Sequence, residues 1–176
     1  MEQSISLTSV SKKAKIVTIL LCLGCVFAIF LLIPADYRAY IVEMGYLRWT
    51  GLVALCAVIL IPLHEGMHGL FFRLFGGKVS FGARLKTSFG PVFWATSPKM
   101  YSKRQFQIIG LAPQLLTVIC LLMLGHFSPV VNIGLIITAV GNLLGGVFDI
   151  YISVLLRRFP AGVLVRDTRD GCVIYR

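Results

Sequence analysis

Acidic side chains are scarce in this chain: there are seven Asp and Glu among 176 residues, against seventeen Lys and Arg, and charged residues of either sign make up 14%. A soluble domain carries about a quarter, so the sequence lacks the charge needed to cover an ordinary solvated surface. The shortfall is uneven, because long stretches hold no Asp, Glu, Lys or Arg at all. Hydrophobic residues reach 57% and the mean hydropathy is +0.87. These values place the chain in the membrane class. Paired extracellular cysteines are also missing: four of Cys22, Cys25, Cys56, Cys120 and Cys172 lie in apolar segments and the fifth in the tail, which is no disulfide framework. Cys22 and Cys25 are spaced C-x-x-C, but no histidine or acid stands near them in that run, so small apolar packing residues are the preferred reading. Low-complexity tracts and internal repeats are absent.

Four apolar runs have the length of a membrane crossing, about 20 residues each. They cover 16–33, 49–72, 106–125 and 130–156, with a tail at 157–176. Helices are the expected form, since a helix satisfies its own backbone polar groups in lipid. The first run is longer than a secretory signal core and has no small-x-small cleavage site before Tyr37 and Arg38, which favours its retention. Gly110 and Pro113 are kink candidates in the third.

Basic residues set the orientation. The N-terminal segment has net charge +2, the first loop 0, the second loop +7 and the tail +3, while the third loop holds no Lys, Arg, Asp or Glu. Positive charge therefore alternates with neutral loops, and both termini are expected in the cytoplasm. A pI near 9.8 raises nucleic acid as a partner. The charge flanks apolar spans, however, so anionic lipid headgroups explain it better and no nucleic acid is expected.

The second loop carries strand signals. Gly76-Gly77 ends the preceding helix, 78–86 partly alternates, and 91–96 is aromatic and β-branched, with Gly90-Pro91 as a turn. A short hairpin at the cytoplasmic interface is the reading, with Phe93 and Trp94 at headgroup depth. In the tail, 163–165 and 172–175 flank Asp170-Gly171, a hairpin-type pair.

Only four strongly polar ionisable residues lie inside the apolar spans: His64, Glu65, His68 and Asp149. A central carboxylate costs about 2.5–3.5 kcal/mol on insertion scales, so such residues mark working sites. His64-Glu65-Gly66-Met67-His68 is the H-E-x-x-H pattern. Two histidines four apart on a helix face the same side and can share a metal, with the glutamate beside them as a base. A catalytic zinc needs a third protein ligand. By helical rise, His64 stands about 13 Å and Asp149 about 12 Å from the same membrane surface, and His126, the remaining histidine, sits at the opposite loop. A zinc ion bound by Asp149, with Glu65 adjacent, would leave the cluster formally neutral. Gly141-x-x-x-Gly145 with Gly146 permits close helix approach, and Asn142 lies on the Asp149 face, where it is a candidate to bind an extended substrate or an oxyanion. The bland alternatives are a polar patch that fixes helix packing, Asp149 paired with Arg157 or Arg158, and Asn142 as interhelical glue.

These residues resemble the site-2-protease type of intramembrane zinc protease, and more closely the zincin-peptidase family DUF3267. The resemblance rests on Leu63 to Arg73 with its H-E-x-x-H, on Gly76 to Val79, on Gly110 to Pro113, on Gly141 to Ile150 and on the tail from Asp167 to Tyr175. It implies zinc ligands His64, His68 and Asp149, a base Glu65, and a functional Asn142. Ile150 follows the aspartate, and no proline separates Asn142 from Asp149, both departures from the site-2 pattern that bear on substrate handling. The expectation is an all-α multi-pass membrane protein, a single domain over 1–176 with four transmembrane helices and a small cytoplasmic β-hairpin. It would be a zinc peptidase of the bacterial plasma membrane acting on a peptide or transmembrane-protein substrate, its oligomeric state open. The alternatives are a non-catalytic metal-binding sensor or partner-binding protein, and a small cation or proton transporter.

Overall fold

The computed structural model describes residues 2–6, 16–17, 19–21, 23–24, 27, 31, 35–84, 92–168 and 171–175. Half of the expected first span, including Cys22 and Cys25, the Gly90-Pro91 turn and Asp170 lie outside them. In chain order the elements are β1 (Glu2–Ser6), α1 (Ala35–Met44), α2 (Tyr46–Leu74), β2 (Ser80–Arg84), β3 (Val92–Thr96), β4 (Met100–Ser102), α3 (Lys103–Leu111), α4 (Gln114–Leu122), α5 (Pro129–Gly145), α6 (Val147–Leu155), a 3-10 turn (Leu156–Arg158), β5 (Leu164–Thr168) and β6 (Gly171–Tyr175). The protein is mostly helical, with two small antiparallel sheets.

At 29 residues α2 is about 43 Å long by helical rise, and it alone among the described helices is long and apolar enough to cross a membrane. The third and fourth expected spans differ from straight crossings. Each is a pair of helices, α3 with α4 bent by 44° and α5 with α6 and its 3-10 extension bent by 45°, so that the described residues offer up to three spans if each pair counts as one. The first bend follows from Pro113, which has no N–H to give the Ile109 carbonyl four residues back. The second falls at Gly146, between α5 and α6.

Helix α5 packs on α2 and α4, α6 packs on α3, and α2 also contacts β3. Close approach of α3 to α6 depends on Gly110: a Cβ there would lie 2.9 Å from Ser153 Oγ and 3.6 Å from the Asp149 carbonyl. Helix α3 starts on a capping box, in which the Gln105 N–H donates to Ser102 Oγ at 3.3 Å and the Ser102 N–H to Gln105 Oε1 at 3.0 Å. Such a box satisfies two of the donors a helix start leaves free. Outward faces are apolar: Leu55, Val58, Ile59, Leu115, Val118 and Leu122 are all exposed.

The sheets are larger than one hairpin. Strands β2 and β3 pair alone, Ser80 opposite Thr96. Strands β1, β6, β5 and β4 form a second sheet in that order, which includes the expected tail hairpin with Val165 opposite Ile174. Its inner face supplies Val165, Cys172 and Ile174 to a core shared with Tyr101, Ile109 and Leu156, all buried. The two additions to the sequence reading are β1, in a segment with no apolar alternation, and the three-residue β4.

Candidate metal centre

His64 and His68 are one turn apart on α2 and both are buried, at 9% and 8% exposure. Their rings stand 5.1 Å apart at 78°, which turns both Nε2 atoms toward α6. There the Asp149 carboxylate lies 3.4 Å from each Nε2 through the same atom, Oδ2. The ligand atoms of the three residues all fall within 4.8 Å of one another. Neither Arg157 nor Arg158 forms an ion pair with Asp149 among the described residues.

Hydrogen bonds fix which ring nitrogen is free. His68 Nδ1 lies 2.9 Å from the Ile109 carbonyl, a pure acceptor, so Nδ1 carries the proton. That carbonyl is the one Pro113 leaves without its helical partner, although the Ala112 N–H approaches it at 3.3 Å. The bend in α3–α4 thus supplies the acceptor that orients His68. His64 Nδ1 lies 2.9 Å from Asn142 Oδ1. The Asn142 amide nitrogen donates to the Pro113 carbonyl at 2.8 Å and to Thr117 Oγ1 at 2.8 Å, which forces the amide oxygen toward His64 and again places the proton on Nδ1. Both Nε2 atoms face the same carboxylate oxygen, and in the neutral imidazoles each would offer its lone pair to a metal.

Buried polar groups of this kind are paired with one another or coordinate a metal, and the spacing here suits the second. Zinc with bonds of about 2.0–2.1 Å in tetrahedral geometry holds its ligand atoms about 3.3–3.4 Å apart, which is the spacing found between each Nε2 and Oδ2. The donor set, two imidazoles each held at Nδ1 by an outer partner and a carboxylate, fits a catalytic zinc with an open fourth position. Asp149 also stands in the first turn of α6, where the helix dipole favours negative charge; the break at Gly146 puts it there.

Glu65 faces the same space. Its Oε2 accepts the Ala95 N–H of β3 at 2.6 Å. A cavity of about 250 Å³ opens beside the cluster, its lining including Glu65, Phe93, Trp94, Phe148, Asp149 and Asp167. Phe93 and Trp94, expected at headgroup depth, thus line the cavity. His126 is exposed in the turn before α5 and is not one of the converging ligands.

Asn142 is fully buried and all its hydrogen-bonding groups are engaged by protein. The geometry makes it an anchor for His64. Asp167 is the site residue that sequence reasoning passed over. Burial pushes its carboxyl up to about 7, against the opposing pull of a Thr96 hydrogen bond and the His68 charge. The signal was present, since Val163, Val165 and Asp167 alternate and an acid on the inner face of a strand is anomalous. Burial also pushes the thiol of Cys172, opposite Asp167 in the sheet, up to about 12.

A buried pair of H-E-x-x-H histidines thus meets a carboxylate from a second helix, a group that could hold a metal ion. The model of the family DUF3267, described as "Putative zincin peptidase", matches residues 57–164, and the chain belongs to that family. No curated protein and no solved structure matches it.

Proposed function

We propose that this protein is a zinc-dependent peptidase working within or at the surface of a cell membrane. The observation that carries the reading is the convergence of two imidazole Nε2 atoms and Asp149 Oδ2 at zinc-ligand spacing, beside Glu65 and a largely aromatic and aliphatic cavity. His64, His68 and Asp149 would hold the metal; when bound, zinc polarises a carbonyl and makes water a nucleophile near neutral pH. Glu65 takes the proton of the attacking water and passes it to the leaving amine. The Ala95 N–H holds Oε2, which leaves Oε1 for that proton. Asn142 and the Ile109 carbonyl keep both imidazoles in the ligating tautomer, as outer-shell partners do elsewhere.

The substrate binds in extended form along β3. Beyond β2 this strand has no further sheet partner among the described residues. Its Ala95 N–H points away from β2 to Glu65, so by strand alternation the Phe93 N–H and carbonyl face the same way. A peptide strand adding there would be carried to the metal. Proline at Phe93 removes an outward donor while leaving the β2 ladder intact; cleavage unaffected by that change would refute this binding mode.

Four membrane crossings with both termini in the cytoplasm remain the topology that fits best. It is supported by α2, by the two bent pairs with their exposed apolar faces, and by the pairing of β1 with β6, which brings the two ends of the chain together. Profiling of new protein N-termini in cells tests the activity: cleavages present with wild type are expected to vanish with Glu65→Gln while zinc is retained. Identical profiles would refute a peptidase.

A further inference from the structure

The cavity wall facing the metal cluster is completed by the C-terminal hairpin, through Asp167, Thr168 and Gly171, all beyond the segment that the family model matches. Asp167 pairs with Cys172, as Val165 does with Ile174, and directly opposed residues share a sheet face. Val165, Cys172 and Ile174 are at most 1% exposed, so Asp167 projects from the core side. Arg166 points the other way and lies over the Tyr175 ring, 5.4 Å from its centroid. No lysine or arginine among the described residues forms an ion pair with Asp167.

Charge makes this position informative. A bound dication would be offset by Asp149 and Glu65, and both histidines are neutral as ligands. Asp167 is then a surplus carboxyl in a cavity whose wall includes Phe72, Phe93, Phe106, Ile109, Phe148 and Ile152 and, among the described residues, holds no lysine or arginine. A buried acid without a cation is costly, and its cost falls when a ligand brings one. We infer that Asp167 is a specificity-determining residue, and that the preferred substrates carry a cationic nitrogen, an α-amino group or a basic side chain, close to the bond to be cleaved. The carboxyl raised by burial, with His68, Asp149, Glu65 and Thr96 as the groups acting on it, fits an acid that lacks its counter-ion until substrate arrives. The inference rests on the zinc-peptidase reading and adds its substrate class.

The test uses the full chain, zinc-loaded in detergent, and four hydroxamates: those of lysine and norleucine, each with a free and an acetylated α-amino group. Zinc content is measured alongside. Acetylnorleucine hydroxamate is the neutral reference. At least one cationic probe is expected to bind about tenfold tighter than it, the scale of a hydrogen bond to a charged group, and the pattern of acetylation identifies which nitrogen is recognised. Asp167→Asn, which preserves shape, should bring all four within about twofold of one another with zinc unchanged. Equal binding of all four by wild type overturns the inference, as does a preference that survives in Asp167→Asn. If zinc is absent and no hydroxamate binds, the zinc-site reading falls and the substrate class falls with it.

Discussion

Replacing Asn142 with alanine removes three buried hydrogen bonds, to His64 Nδ1 and to the Pro113 and Thr117 oxygens at 2.8 Å each. Their losses are not equivalent. The Pro113 carbonyl keeps the Leu116 N–H at 2.9 Å, and the Thr117 hydroxyl retains contacts with Gln114 and the Ala139 carbonyl at 3.4 Å. His64 Nδ1–H has no second acceptor among the described residues. Its orphaning costs about 1–3 kcal/mol of stability, and the ring is freed to take the other tautomer, in which Nε2 is protonated and cannot bind metal. Loss of such an outer partner typically weakens metal affinity about 10–100-fold, or about 1.4–2.7 kcal/mol. Zinc affinity is read by competition with a chromogenic chelator at fixed pH in detergent. Asn142→Ala is expected inside that range, and Thr117→Val, which removes one support of the amide, below tenfold. An Asn142→Ala protein within threefold of wild type would refute the claim that this amide sets the His64 tautomer.

Pro113→Ala restores an N–H that competes with His68 for the Ile109 carbonyl. It is expected to straighten α3–α4 and to weaken zinc binding about tenfold, although Pro113 touches no metal ligand; unchanged affinity would separate the bend from the site. Asp167 gives a pH signature. Its carboxyl sits above the unfolded value, so the folded state binds more protons between about pH 4 and pH 7, and stability falls as pH rises through that window, by at most about 4 kcal/mol. Thermal midpoints should therefore rise more for Asp167→Asn at pH 8 than at pH 5, and an equal change at both pH values would show that this carboxyl is not strained by burial.

The convergence of His64, His68 and Asp149 was legible because its geometry is carried by regular helix. Four-residue spacing puts His64 beside His68, and counting rise from the basic flanks brings Asp149 to their depth. The tail hairpin showed itself through alternation around Asp170-Gly171, and Pro113 marked its own bend. What that bend does was not legible: the freed Ile109 carbonyl meets His68 only through the packing of α3 on α2. Asn142 likewise could be placed on the correct face of its helix, but the direction of its amide is decided by Pro113 and Thr117, far away in sequence. The edge strand β1 has no apolar pattern to announce it, and the pairing of three-residue β4 is set by its neighbours. Asp167 was overlooked although it continues the alternation of Val163 and Val165, because a charged residue near a turn reads as solvated.

Elemental analysis of purified wild type beside Asp149→Ala measures the central claim most directly. One equivalent of zinc in wild type, and its loss when only the carboxylate of α6 is removed, is the expected result; a metal-free wild type, or full zinc in the variant, would contradict it.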